Sequence, residues 1–274
     1  MTDTASTAPA RRRLTRRQRA RLIRSTQYVV LVAAVATFAV AADWGRIGEA
    51  FFDVEIIREL FPEMLTVALK NTVLYTLCAF SFGLVLGMVL ALMRLSPVLP
   101  YRALATIYIE FFRGVPALLV LIAFGYGIPV ALNSEVPGGI LGTITVALGL
   151  VAAAYIAETL RAGIQAVPRA QMEAARSLGM SHGRAMVSII IPQAFRIILP
   201  PLTNELILLT KDSSLVYLLG VTLQTRELAK FGRDALNQYV SMTPILVAGL
   251  CYLIITIPLG YVVRRLEARQ AQAR

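Results

Sequence analysis

The sequence predicts an all-α integral membrane protein with six transmembrane helices, an N-terminal one followed by a core of five, and both termini in the cytosol. Three observations carry this. The 274-residue chain is 57% hydrophobic with a mean hydropathy of +0.68, well above a soluble globular average. Its apolar runs reach the roughly 20 residues that a helix needs to cross a bilayer. Its arginines crowd alternate connecting segments, the asymmetry that sets orientation.

The predicted spans are about 26–42, 64–93, 108–131, 139–160, 196–220 and 241–263. Residues 1–25 form a basic tail, in which Arg16-Arg17 lacks the flanking pattern of a twin-arginine signal. The first span has only 18 uncharged positions, 25–42, before Asp43 and Trp44. Ala39-Val40-Ala41 resembles a signal-peptidase site, but the expectation is a retained anchor. Segment 43–63 holds six acidic residues, with Ile47, Phe51, Val54, Ile57 and Phe61 at helical spacing. An amphipathic helix on the outer surface and a solvated loop both fit that pattern. The resulting organisation is a tail at 1–25, an anchor and external segment at 26–63, a transmembrane domain at 64–263 and a cytosolic tail at 264–274.

Segments 1–27, 94–105, 161–196 and 264–274 carry 8, 2, 5 and 4 arginines, 19 altogether. The segments left on the other side, 43–63, 132–138 and 221–240, carry 2, 0 and 3 lysines or arginines, 5 altogether. That bias places both termini and the 161–195 loop inside. The net charge of +11 does not point to nucleic acid, because the basic residues cap apolar runs instead of forming a face with interleaved aromatics. Cys78 and Cys251 both lie within apolar runs and read as reduced packing residues.

Lipid offers no hydrophobic drive for helix association, so small residues mark the contacts. Gly83, Gly87 and Ala91 form one such stripe, and Gly149, Ala153 and Ala157 another. Prolines 116, 129, 200, 201, 244 and 258 interrupt helices in or near the membrane, where irregular backbone is tolerated only against protein or a water-filled path. Charges at membrane depth cost about 3 kcal/mol each at a helix centre. Glu110 with Arg113, and Glu158 with Arg161, have i,i+3 spacing and are expected to pair locally. Lys70 is expected to snorkel outward. Asn204, Glu205, Lys211, Asp212 and Ser213 crowd one helix and are candidates for a translocation path or gate. Because adjacent residues do not face each other, Lys211 and Asp212 are expected to find partners on other helices. A structural pairing role for this set also stays open.

The polar loop at 161–195 contains the run Glu173-Ala-Ala-Arg-Ser-Leu-Gly179-Met-Ser-His-Gly-Arg-Ala-Met-Val-Ser-Ile189-Ile-Ile-Pro192. Pro168 at a first helical position and Gly179 at a left-handed exit predict a short helix over 168–178. Met172, Ala175 and Leu178 mark its apolar edge, with Arg169, Glu173 and Arg176 supplying charge. The run resembles the Glu-Ala-Ala signature of ABC-importer permeases, which Glu173, Ala174, Ala175, Gly179, Ile189 and Pro192 match, with Ile191 in place of Leu. Residues 64–263 are similar to the polar amino acid uptake branch of that family, the histidine/glutamine/arginine type. The stretches that carry this likeness are Glu110-Phe-Phe-Arg-Gly-Val-Pro116, Tyr155-Ile-Ala-Glu-Thr-Leu-Arg161-Ala-Gly163, Ile164-Gln-Ala-Val-Pro168 and Lys211-Asp-Ser-Ser-Leu215.

The resemblance implies a type I importer permease in a bacterial plasma membrane. Its short loop helix would be a coupling helix, with Glu173, Ala174, Ala175, Arg176, Gly179 and Ser181 contacting the ATPase. The implied partners are an ABC ATPase dimer, a second permease copy or homologous permease, an extracytoplasmic solute-binding protein, an amino acid and membrane lipid. The chain departs from the branch at Val115, which replaces a usual Thr. It departs also at Val120, in place of a frequent Gln, and near Val151 and Ala152, where Asn-Ser or Asn-Gly often stands.

The chain carries no Gly-x-x-x-x-Gly-Lys-Ser/Thr phosphate loop, and none of Lys70, Lys211 and Lys230 follows a glycine. ATP and magnesium are therefore expected on the partner ATPase, with no cofactor and no catalytic residue here. One histidine, His182, is too few for a metal site. A permease for a related solute, such as an opine or an ectoine-like compound, is the alternative. An ion channel is remote, since Phe124-Gly-Tyr-Gly127 lacks the Thr-Val that precedes a potassium filter.

Overall fold

The computed structural model describes residues 15–272, all in helices or their connections, with no strand among them. The outer parts of the tails, 1–14 and 273–274, lie outside the described residues. The chain divides into two units at Ala50–Phe51.

In the first unit, α1 (Arg16–Ala41) starts ten residues before the predicted span, because its basic residues are good helix formers and carry the helix beyond the apolar run. A capping box opens it: the Thr15 side chain accepts from Gln18 N–H at 3.3 Å, and Gln18 Oε1 accepts from Thr15 N–H at 3.0 Å. No residue of α1 is buried. Trp44 closes its far end by donating to the Ala39 carbonyl at 2.7 Å, its ring edge-on to Phe38. From there α2 (Trp44–Phe51) runs to the unit boundary.

The second unit opens with α3 (Val54–Glu63), capped by the Asp53 carboxylate on the Glu55 and Ile56 N–H groups. It passes through a π turn at Met64–Leu69 directly into α4 (Lys70–Leu95), so α3 and the second span are one continuous helix. Pro62 donates no hydrogen bond, and the ladder shifts just after it.

The predicted straight span 108–131 is not observed. Instead α5 (Leu99–Gly114) is followed by an arm of α6 (Ala117–Ile122), a π turn and α7 (Ile128–Leu132), and the two arms meet at 100°. Pro116 is the reason: it offers no N–H, and it drives Val115 before it into an extended conformation at φ −97°, ψ 131°. Next come α8 (Gly139–Gln165), α9 (Arg169–Ser177) and α10 (His182–Ala185), then a π turn into α11 (Ile191–Asp212), which ends in a 3₁₀ turn at Ser213–Leu218. Finally α12 (Leu228–Tyr239) leads to α13 (Thr243–Gln272). Among the described residues five helical stretches are long and apolar enough to cross a membrane, or six if the bent pair counts as one span.

Helices α4 and α8 form the central contact, through the two small-residue stripes. A Cβ on Gly87 would stand 2.9 Å from the Ala153 carbonyl and 3.0 Å from an Ile156 methyl. One on Gly149 would stand 2.6 Å from the Phe82 ring and 3.0 Å from the Ala79 carbonyl. Ala91, Ala153 and Ala157 continue the seam and are joined there by Ala105 and Ile109 of α5.

At the opposite end from α9, the 222–228 turn is stapled by polar side chains. Asn71 donates to the Gln224 and Arg226 carbonyls, Tyr75 to the Thr225 carbonyl, and Thr72 accepts from Leu228 N–H at 3.1 Å. Arg226 pairs with Glu63 at 2.8 Å and lies over the Phe231 ring. Glu227 is fully buried; it caps α12 through the Ala229 and Lys230 N–H groups and accepts from the Tyr252 hydroxyl at 2.9 Å. Burial pushes its carboxyl up to about 7, against these three donors. The fold thus favours the neutral form: its contribution is full below the ordinary value of 4.5 and is lost as pH rises through about 7.

Two outcomes follow. Gly87→Leu overpacks the seam and costs about 1–3 kcal/mol or more, whereas Gly249→Ala, with open space at its Cβ, is neutral or stabilising; melting curves in detergent compare them. The melting temperature of the wild-type chain falls between pH 5 and pH 8, and Glu227→Gln flattens that slope.

Candidate functional site

Residues 205, 208, 209 and 212 share one face of α11, since seven residues make nearly two turns. That face looks into a cavity of about 400 Å³ closed by the 113–117 break and by α8. Glu205 and Asp212 thus meet Arg113 and Tyr155 around one space. Tyr155 donates to the Arg113 carbonyl at 3.5 Å, and its ring lies 5.6 Å from the Arg113 guanidinium carbon. Among the described residues neither Glu205 nor Asp212 has a hydrogen-bond or ion-pair partner. Two half-buried carboxylates at membrane depth without partners form an unsatisfied site. Val115, Val151 and Ala152 line the same cavity, while Val120 is buried in the core beside it.

Three of the other sequence-derived residues fall elsewhere. Asn204 and Lys211 are also seven apart, but they sit one residue, about 100°, off the lining face and are exposed. Among the described residues Lys211 has no ion-pair partner on another helix, contrary to expectation, and the same holds for Asp212. Ser213 is buried and spends its hydroxyl on the Thr210 carbonyl at 2.7 Å. Of the two local ion pairs expected, Glu158–Arg161 forms, with Arg161 Nε donating at 2.9 Å. Glu110–Arg113 does not: Glu110 faces Arg94 at 3.9 Å, and Arg113, next to the Pro116 break, turns to Tyr155.

The second candidate region is α9. Pro168 stands at its N-cap, one residue before the predicted position. Its exit is a Schellman motif: Gly179 at φ +82° donates to the Arg176 carbonyl and Met180 to the Ala175 carbonyl. Ser181 then caps α10 by accepting from Arg184 N–H at 3.3 Å. Ala175 is buried, and Met172 packs onto Val167, Ile190, Ala194 and Ile198, so α9 is held from behind. Glu173, Ala174, Arg176 and Ser181 face outward with Leu178, which is 84% exposed. An anchored helix presenting one bare leucine among charged and small residues has the makings of a docking surface.

Residues 83–272 match the family described as the binding-protein-dependent transport system inner membrane component. The chain belongs to this family. It is accordingly a multi-pass membrane transport component and not an enzyme. The probable glutamine ABC transporter permease protein GlnM of Bacillus subtilis (strain 168) is 39% identical over 73% of this chain and 89% of its own length. The arginine transport system permease protein ArtQ of the same organism is 35% identical over 76% and 90%. A crystal structure of an amino acid ABC transporter with histidines superposes with a TM-score of 0.71 at 32% identity, covering 79% of this permease and 98% of that chain.

Sequence reasoning missed Arg113 and Tyr155 as cavity residues. Arg113 sits three residues before a proline, a spacing that signals a break but not what the break faces. Removing an unpaired charge from apolar surroundings relieves a cost. Glu205→Gln and Asp212→Asn therefore raise or preserve the melting temperature of the purified permease, which distinguishes them from the structural acid Glu227, whose replacement by Ala lowers it.

Proposed function

We propose that this chain is the permease subunit of an ATP-driven, binding-protein-dependent amino acid importer in a bacterial plasma membrane. The names of its relatives support an amino acid cargo. The proposed topology places both termini and α9 in the cytosol, in keeping with the arginine asymmetry. Helix α9 then acts as the coupling helix, with Glu173, Ala174, Ala175, Arg176, Gly179 and Ser181 at or supporting the contact with an ATPase dimer. ATP and magnesium belong to that dimer. A second permease copy or a homologous permease completes the membrane unit, and a solute-binding protein delivers the cargo from outside.

The single observation that carries the reading is the cavity with its unpaired acids. It holds one guanidinium and two carboxylates, a net charge of −1, and Lys211 does not line it. A ligand with one carboxylate and two cationic groups matches that set charge for charge, leaving no ion uncompensated at membrane depth. The match is a cationic amino acid: its carboxylate on Arg113, its two cations on Glu205 and Asp212. Val115, Val151 and Ala152 suit its aliphatic stem, where polar side chains would suit an amide. The volume is ample for one such molecule with a few waters.

Reconstituted into liposomes with its ATPase and binding protein, the permease takes up lysine or arginine in an ATP-dependent manner, ahead of glutamine and glutamate. Passive conductance through the purified chain alone overturns the importer reading; preference for glutamate overturns the charge match only. Glu173→Lys, or a bulky residue at Gly179, abolishes uptake without preventing membrane insertion. Asp212→Asn lowers uptake at least about tenfold, as loss of a buried ion pair would, while the ATPase still co-purifies.

A further inference from the structure

Beside the turn that leads into α9, a groove of about 830 Å³ separates the ends of α11 and α13. It is distinct from the charged cavity and shares no residue with it. Ile197 and Leu199 of α11 and Leu266 of α13 give it apolar walls. Arg196 and Arg269 stand in the same lining, both exposed, and neither has a carboxylate within ion-pair reach among the described residues. Glu267, the nearby acid of α13, is not part of the lining and pairs with neither. The Gln270 side-chain amide donates to the Arg196 carbonyl and ties the two helices together at this point. The groove is therefore bridged between two membrane helices, basic in charge and apolar in wall.

We propose that this groove binds an anionic phospholipid, its phosphodiester between Arg196 and Arg269 and an acyl chain along Ile197, Leu199 and Leu266. A guanidinium matches phosphate oxygens two at a time, and two of them converging on one groove make a headgroup site. A soluble phosphate ester shares the headgroup chemistry but leaves the leucine and isoleucine walls wet, so the lipid satisfies both halves of the groove. Pro168, which caps α9, is also in the lining, so the lipid sits at the root of that helix.

Native mass spectrometry of the full chain tests this, with phosphatidylglycerol and phosphatidylcholine of equal acyl length as probes. Phosphatidylglycerol is retained about tenfold over phosphatidylcholine, and Arg196→Gln with Arg269→Gln removes most of that preference. Arg264→Gln with Arg265→Gln deletes the same amount of charge from α13 outside the groove and leaves the preference in place. Leu266→Glu, with both arginines intact, also expels the lipid. Equal losses from the two double-arginine variants reduce the effect to diffuse surface charge and overturn the proposal. Full retention by Leu266→Glu, or displacement of the lipid by millimolar glycerol phosphate, overturns it as well.

Discussion

Everything in the second unit is arranged around the backbone contact between α4 and α8. In lipid two leucine-faced helices gain little by meeting, since the acyl chains they displace are equally apolar. Glycine and alanine change that balance by letting the main chains approach until dispersion contacts and weak Cα–H···O contacts become dense. Gly83, Gly87 and Gly149 sit where any side chain would strike a carbonyl or a ring on the partner. While α8 spends residues 149, 153 and 156 on this seam, residues 148, 151 and 155 beside them line the cavity, and Ala152 serves both.

The cavity exists because one span is broken. Val115 and Pro116 turn the chain by 100° between α5 and its following arm, and this brings Arg113 beside α8 and α11. The break leaves Arg113 over Tyr155, and among the described residues Glu205 and Asp212 have no hydrogen-bond or ion-pair partner. Stability alone does not favour those acids, which is the ground on which the proposed function assigns them to a ligand.

The two ends of the unit solve opposite problems. Around 222–228 polar groups are paired across helices, down to a fully buried Glu227 shared between α12 and the Tyr252 hydroxyl. At α9 the chain does the reverse: it secures the inner side with Ala175 and Met172 and leaves Leu178, Glu173 and Arg176 uncovered. Rigid backing with a bare outer face suits the coupling role proposed for α9.

Much of this was legible in the residues themselves. Hydropathy is a sum over a window, so the apolar spans emerge without knowledge of neighbours, and arginine asymmetry needs only a count. Glycine at a left-handed exit and glycine stripes on helices are likewise local signals, and α9, Gly179 and the α4–α8 seam follow from them. The 100° break, the merger of α3 into α4 and the choice of partners for Arg113 and Glu227 were not legible. A proline states that a hydrogen bond is missing but not the angle at which the chain resumes, and a charge carries no record of what lies across from it. Those were decided by packing, which alone determines that Glu205 and Asp212 share a cavity while Asn204 and Lys211, one residue away, do not.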